Sequence, residues 1–156
     1  RRQRQMCIRD RIGYLARTAN LLGIATPKIA CIAPSEQLLP NVISSTEGAL
    51  LAKMADRGQL GNVVVDGPLS LDVALYKEVA EHKKVKGSSV AGDPDCLLFP
   101  NLESANVFFK SVSHLCGGEL AAMVMGTKVP CVLTSRGDTS KTKLFSIALA
   151  CLAVKK

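Results

Sequence analysis

The chain has 156 residues, 47% apolar, 21% charged and 4% aromatic, with no Trp. That suffices for one ordinary domain with an aliphatic core and argues against disorder, while so few aromatics leave little for a base-stacking nucleic-acid platform. Of the +7 net charge, +4 belongs to residues 1–11 (RRQRQMCIRDR), so the basicity is mostly a tail.

That tail reads either as a nucleic-acid arm or, through QMCIRDR, as translated adapter sequence; the second reading is adopted, with native sequence starting near Ile12. Residues 11–23 then place Ile12, Leu15, Ala16, Ala19 and Leu22 on a helical stripe that Gly23 closes. KIACIA (28–33) is a short strand, residues 45–57 a helix ending at Gly58, and NVVVDG (62–67) a buried β-branched strand. Ser70 caps a helix running to about His82. DCLLFP (95–100) is a strand, and residues 103–116 a helix offering Val107, Phe108, Val112 and Leu115 to the core. ELAAMVMG (119–126) fits helix or strand. KVPCVLT (128–134) reads as a strand with Pro130 near its start or on an edge. Residues 140–153 form the last helix, with Leu144, Ile147, Ala148 and Cys151 on one face. The alternation predicts an α/β fold, a mostly parallel sheet with helices on both faces.

The longest apolar run, 147–154, is far shorter than the roughly 20 residues that cross a bilayer, and no signal-peptide pattern opens the chain. The expectation is a cytoplasmic protein with neither nucleic-acid nor membrane partners. Cys7, Cys31, Cys96, Cys116, Cys131 and Cys151 form no CxxC pair and read as reduced core residues.

In an open α/β sheet, ligands bind beyond the carboxyl ends of the strands. Three polar turns follow strands here: Asp66-Gly67-Pro68; Pro100-Asn101-Leu102-Glu103 with Asn106 one turn on; and Thr134-Ser135-Arg136-Gly137-Asp138. Each residue type also serves as an ordinary cap or turn former. Arg136 stands out as the one Arg placed between a strand and a helix. Beside the hydroxyls of Thr134, Ser135 and Thr139 and a helix start, its guanidinium would bind an oxyanion or phosphate; otherwise it pairs with Asp138. His82 and His114 fall on helices without metal-ligand spacing, and no phosphate loop or dinucleotide fingerprint is present.

VVVDGPLSLDVAL, AEHK, AGDPDCLLFPNLESANVFFK and MVMGTKVPCVLTSRGDTSKTKLFSIALA, in this order and spacing, resemble the C-terminal half of the phosphate acetyl/butyryltransferase family, most closely its butyryltransferase branch. The resemblance implies acyl transfer between acyl-CoA and inorganic phosphate, a fold similar to isocitrate dehydrogenase, and a homodimer with a cleft between two α/β domains. It implies no metal or prosthetic group, coenzyme A and phosphate being substrates. Carried over, Ser135 and Arg136 match the family's Ser-Arg pair at the reacting phosphate and thiol, and Asn101, Glu103 and Asn106 its cleft-lining turn; Asp66 and Thr134 join them as substrate-binding candidates. The acetyltransferase branch's proton-accepting Asp corresponds to Thr142, so Asp138 is the candidate base. Residues 12–156 then represent the C-terminal portion of a two-domain enzyme whose first domain is missing. The alternatives are a phosphate acetyltransferase, a truncated non-catalytic phosphate or acyl-CoA binding domain, or a dehydrogenase using metal and nicotinamide. The last would need more clustered carboxylates than Asp66, Glu103 and Asp138.

Overall fold

The computed structural model describes residues 2–154, with side chains described from Cys7 onward. It divides into two units, residues 1–102 and 103–156. The elements are α1 (Arg2–Leu21), β1 (Lys28–Ile32), α2 (Ile43–Asp56), β2 (Val64–Leu69), α3 (Leu71–Leu75), α4 (Lys77–His82), β3 (Cys96–Leu98), α5 (Leu102–His114) and α6 (Ser140–Leu152).

The first unit is a three-stranded parallel sheet in the order β2-β1-β3, with β1 pairing Ile29 to Val65 and Ala30 to Leu97. The two-residue period of β1 feeds a core on each face. Ile29 and Cys31 pack with Ile8 and Ile12 of α1, Leu51 of α2, and Val63, Val65 and Leu98. Ala30 and Ile32 pack oppositely with Leu69, Val73, Ala74, Ala80 and Val90. This is the doubly covered parallel sheet expected from the sequence.

Local chemistry sets the boundaries. Gly23 (φ +92°) and Gly58 (φ +69°) close α1 and α2 in the left-handed region, where Ile24 N–H donates to Ala19 O and Gln59 N–H to Met54 O, at 3.0 and 2.9 Å. The expected helix from Ser70 to His82 is broken at Tyr76, whose extended backbone (φ −121°, ψ 116°) separates α3 from α4.

α1 runs through residues 1–11 from Arg2, and Ile8, only 6% exposed, belongs to the core. Its four-residue spacing from Ile12 extends the same buried stripe by one turn.

The second unit departs further. KVPCVLT is not a strand, and its ladder is one antiparallel bridge between Val124 and Cys131. No neighbouring strand pairs with it, and Pro130 withholds one amide from any ladder. Residues 119–126 are irregular apart from that bridge and are fastened to α6 by Ser146, whose Oγ accepts from Ala122 N–H (3.0 Å) and donates to Thr142 O (2.8 Å). The apolar faces assigned to the last two helices are largely uncovered: no residue of α5 is buried, and Val107, Leu115, Leu144 and Ile147 are each more than half exposed. The cysteines are free, but only Cys31 is buried, and Cys7, Cys116 and Cys151 are exposed. An aliphatic neighbourhood in sequence buries a thiol only where the element lies between layers.

Candidate functional site

The Ser–Arg turn lies in the second unit and is held by a side chain. Asp138 Oδ2 accepts from Ser135 N–H at 2.7 Å, and Asp138 N–H donates back to Ser135 O at 3.1 Å, closing a four-residue turn. Gly137 N–H reaches Ser135 Oγ at 3.4 Å. Asp138 Oδ1 stands 3.6 Å from Lys110 Nζ on α5, and the carboxylate side chain is only 12% exposed.

Arg136, by contrast, is exposed and makes no ion pair with any described residue. The pairing with Asp138 considered from sequence is not made, because Lys110 and the Ser135 amide hold that carboxylate. The turn therefore presents a guanidinium fork with its donors unspent, next to the Ser135 hydroxyl.

Thr139 behaves as a cap. Its Oγ1 accepts from Thr142 N–H and donates to Thr142 Oγ1, both at 3.1 Å, so the expectation that this hydroxyl is offered to an anion is corrected. Thr142 is thereby engaged in the α6 cap. Arg136 does precede a helix, as expected, but the strand expected before it is absent. Gly137 and Asp138 border a cleft of about 350 Å³ that also meets His114, Glu119, Thr139 and Lys141; Lys141 and Glu119 are ion-paired.

On α5, Glu103, Asn106 and Lys110 follow one another at spacings of three and four, so they share a stripe. Through Lys110, that stripe is the side of α5 nearest the Ser–Arg turn. Glu103, Asn106, Thr134, Ser135, Arg136 and Asp138 thus belong to one unit, whereas Asp66 and Asn101 belong to the other. Asn101 directly precedes α5.

Asp66 is not where the sequence suggested. β2 continues to Leu69, so Asp66 is its third residue, opposite Ala30, and its Oδ1 accepts from Gly67 N–H at 2.8 Å. The strand tolerates Pro68 because β2 is an edge strand whose register slips between its Ala30 and Ile32 pairings. The thiol of neighbouring Cys31 is pushed up to about 12, by burial first and the charge of Asp66 second.

Two groups escaped sequence reasoning. One is Lys110, whose neighbour 28 residues ahead in sequence, Asp138, carries no periodic signal. The other is a polar tie beyond the carboxyl ends of β1 and β2. Lys83 Nζ lies 3.0 Å from Asp72 Oδ2, 3.6 Å from Glu36 Oε2 and 3.4 Å from Ser70 Oγ, and Ser70 donates to Glu36 at 3.1 Å. Its polar neighbours, Ser70 first and Lys83 next, hold the Asp72 carboxyl down at about 2. Only the Ser-x-Asp spacing hinted at it.

His82 and His114 are exposed on helices, as expected. Among the described residues no three His, Cys, Asp or Glu side chains gather as metal ligands would, and no helix is long and apolar enough to cross a membrane.

The family model for phosphate acetyl/butaryl transferase matches residues 14–151. The chain is 44% identical over 143 residues to a phosphate butyryltransferase of Clostridium acetobutylicum, covering 92% of this chain and 47% of that protein. It is 41% identical over 141 residues to a phosphate acetyltransferase of Thermotoga maritima, covering 90% of this chain and 48% of that protein. The crystal structure of a branched-chain phosphotransacylase from Enterococcus faecalis V583 superposes with a TM-score of 0.85 at 31% identity, over 95% of this chain and 52% of that one. The chain spans about half the length of the curated relatives it matches. With the parallel sheet and the Ser–Arg turn in place and a family match across nearly all its residues, the chain belongs to the phosphate acetyl/butaryl transferase family.

Proposed function

We propose that this chain carries the Ser–Arg part of a site that transfers an acyl group between coenzyme A and inorganic phosphate, with butyryl-CoA as the preferred donor and acetyl-CoA as the alternative. One observation carries the reading: Arg136 is exposed and free of ion pairs with described residues, on a turn closed by Asp138 at 2.7 Å. A guanidinium in that state keeps both arms of its fork for a phosphate. A phosphate oxygen attacks the acyl carbonyl, the carbon–sulfur bond breaks, and coenzyme A leaves as a thiolate that takes a proton. Arg136 balances the phosphate charge, and Ser135 Oγ donates to the developing oxyanion or the departing sulfur. Glu103 and Asn106 line the same side of the second unit, with Thr134 at the foot of the turn. Asn101 and Asp66, of the sheet unit, are carried over from the family resemblance as further substrate-binding residues.

The chemistry is proposed to need no metal or prosthetic group. The protein is proposed to act in the cytoplasm as a homodimer, with the remaining cations of its cleft contributed by sequence that its longer relatives carry outside the match.

The test joins this chain to the non-matching part of the Clostridium acetobutylicum relative and follows thiol release from butyryl-CoA and acetyl-CoA with phosphate. The expected result is phosphate-dependent release, faster with butyryl-CoA. Arg136→Lys should lower kcat/KM by roughly 10-fold to 100-fold, the loss of a charge-assisted hydrogen bond. An unchanged kcat/KM in that variant would refute the role of Arg136.

A further inference from the structure

We infer that Lys110 is a positioning residue for the Ser135–Arg136 turn, and that Asp138 is the strut through which it acts rather than a proton acceptor. The inference rests on the proposed acyl-transfer reading only for what the turn holds; the strut itself is a matter of geometry. Both oxygens of Asp138 are occupied: Oδ2 by Ser135 N–H at 2.7 Å, Oδ1 by the Lys110 ammonium at 3.6 Å. A carboxylate tied at both oxygens, with its side chain 12% exposed, lies poorly open to a thiol.

Lys110 is the less buried partner, its side chain 37% exposed, with its ammonium 5.5 Å from the centroid of the Phe109 ring. Its tie to Asp138 connects two things that the chain otherwise leaves apart. One is the α5 stripe of Glu103 and Asn106, and the other is the turn that aims Arg136. No strand ladder performs that task, because residues 128–134 are not a strand. Thr142 does not replace Asp138 as an acceptor, since its hydroxyl accepts from Thr139 Oγ1 at 3.1 Å within the α6 cap. Beside the backbone bond from Asp138 N–H to Ser135 O, the turn is thus tied to α5 by one carboxylate and one ammonium.

The experiment uses the full chain and reads the Ser135 amide by NMR hydrogen exchange. Lys110→Met should speed exchange at Ser135 about threefold, the size of a partly exposed ion pair, and Lys110→Arg should restore the native rate. Asp138→Ala, which also removes the charge-assisted acceptor, should speed exchange about tenfold or more. Asp138→Asn keeps an acceptor but loses the charge; it should match Lys110→Met, and the double variant should be no faster than either. Native exchange in Lys110→Met, or Lys110→Arg as fast as Lys110→Met, would overturn the strut. Absence of acyl transfer from the joined protein, with native exchange at Ser135, would overturn the function and leave the strut standing.

Discussion

Ile8 decides whether the first turns of α1 belong to the fold. Its side chain, 6% exposed, closes one end of the core formed by Ile12, Ile29, Cys31, Leu51, Val65 and Leu98. Ile8→Ala removes methyl and methylene groups from that core and leaves a cavity, a change that costs about 2–5 kcal/mol at buried aliphatic sites. For a chain of this size each kcal/mol lowers the melting temperature by about 2–4 °C, so the expected fall is roughly 4–20 °C. Deleting residues 1–11 should cost at least as much. It removes Ile8 and leaves helix only from Ile12 to Leu21, below the roughly 12–15 residues at which an isolated helix is even marginal. Arg9→Ala is the control: Arg9 is exposed on the same helix, and its replacement should change stability by less than about 0.5 kcal/mol. Circular dichroism melts and urea titrations of the three variants give the answer. An Ile8→Ala melt within a degree of native would show that the core closes at Ile12 and that residues 1–11 add nothing.

Gly67→Ala should destabilise by about 1–3 kcal/mol as an overpacked core does, because a Cβ there would lie 2.6 Å from Cys31 Cβ; a urea midpoint equal to native would refute the close approach. The Lys83 tie should weaken in acid. Asp72 titrates at about 2 against an ordinary 3.8, so its contribution is complete above pH 3.8 and lost as pH falls towards 2. Asp72→Asn should accordingly flatten the fall in melting temperature between pH 4 and pH 2, and an unchanged slope would rule the tie out. Lys83, raised above 10.5 by Asp72 first and then Glu36, contributes below that value and loses its contribution at still higher pH. The chain should also self-associate, since Val107, Leu115, Leu144 and Ile147 leave apolar surface uncovered, and light scattering showing a clean monomer would contradict this.

The sheet unit was legible because its signals are local. Lys28–Ile32 is a short apolar run, and parallel pairing buries both its faces, so the run itself announced a central strand. The glycines after α1 and α2 marked their ends. What misled was burial that depends on partners. Val107, Leu115, Leu144 and Ile147 have helical spacing, yet each is left more than half exposed by the described residues. KVPCVLT has strand composition, but β propensity expresses fit to a neighbouring strand, and here the neighbour amounts to one bridge at Val124. Asp66-Gly67-Pro68 was read as a polar turn that follows a strand. In this fold the edge strand absorbs Gly67 and Pro68 in a register slip and runs on to Leu69.

The same distinction applies inside the candidate site. Ser135, Arg136 and Asp138 could be named from sequence because they are neighbours in a motif, but their contacts could not be, because contacts depend on the fold. Arg136 and Asp138 have opposite charges and two-residue spacing, which from sequence suggested a pair. Yet a four-residue turn brings the Asp138 carboxylate over the Ser135 amide at 2.7 Å, and Lys110 supplies the compensating charge from α5. That substitution of partners is what leaves the guanidinium available. Were Asp138 paired with Arg136, each would neutralise the other and the turn would offer an anion only its hydroxyl and amides. A lysine 28 positions upstream of Asp138, invisible to any local pattern, is thus what turns a common Ser-Arg-Gly-Asp turn into a cationic one.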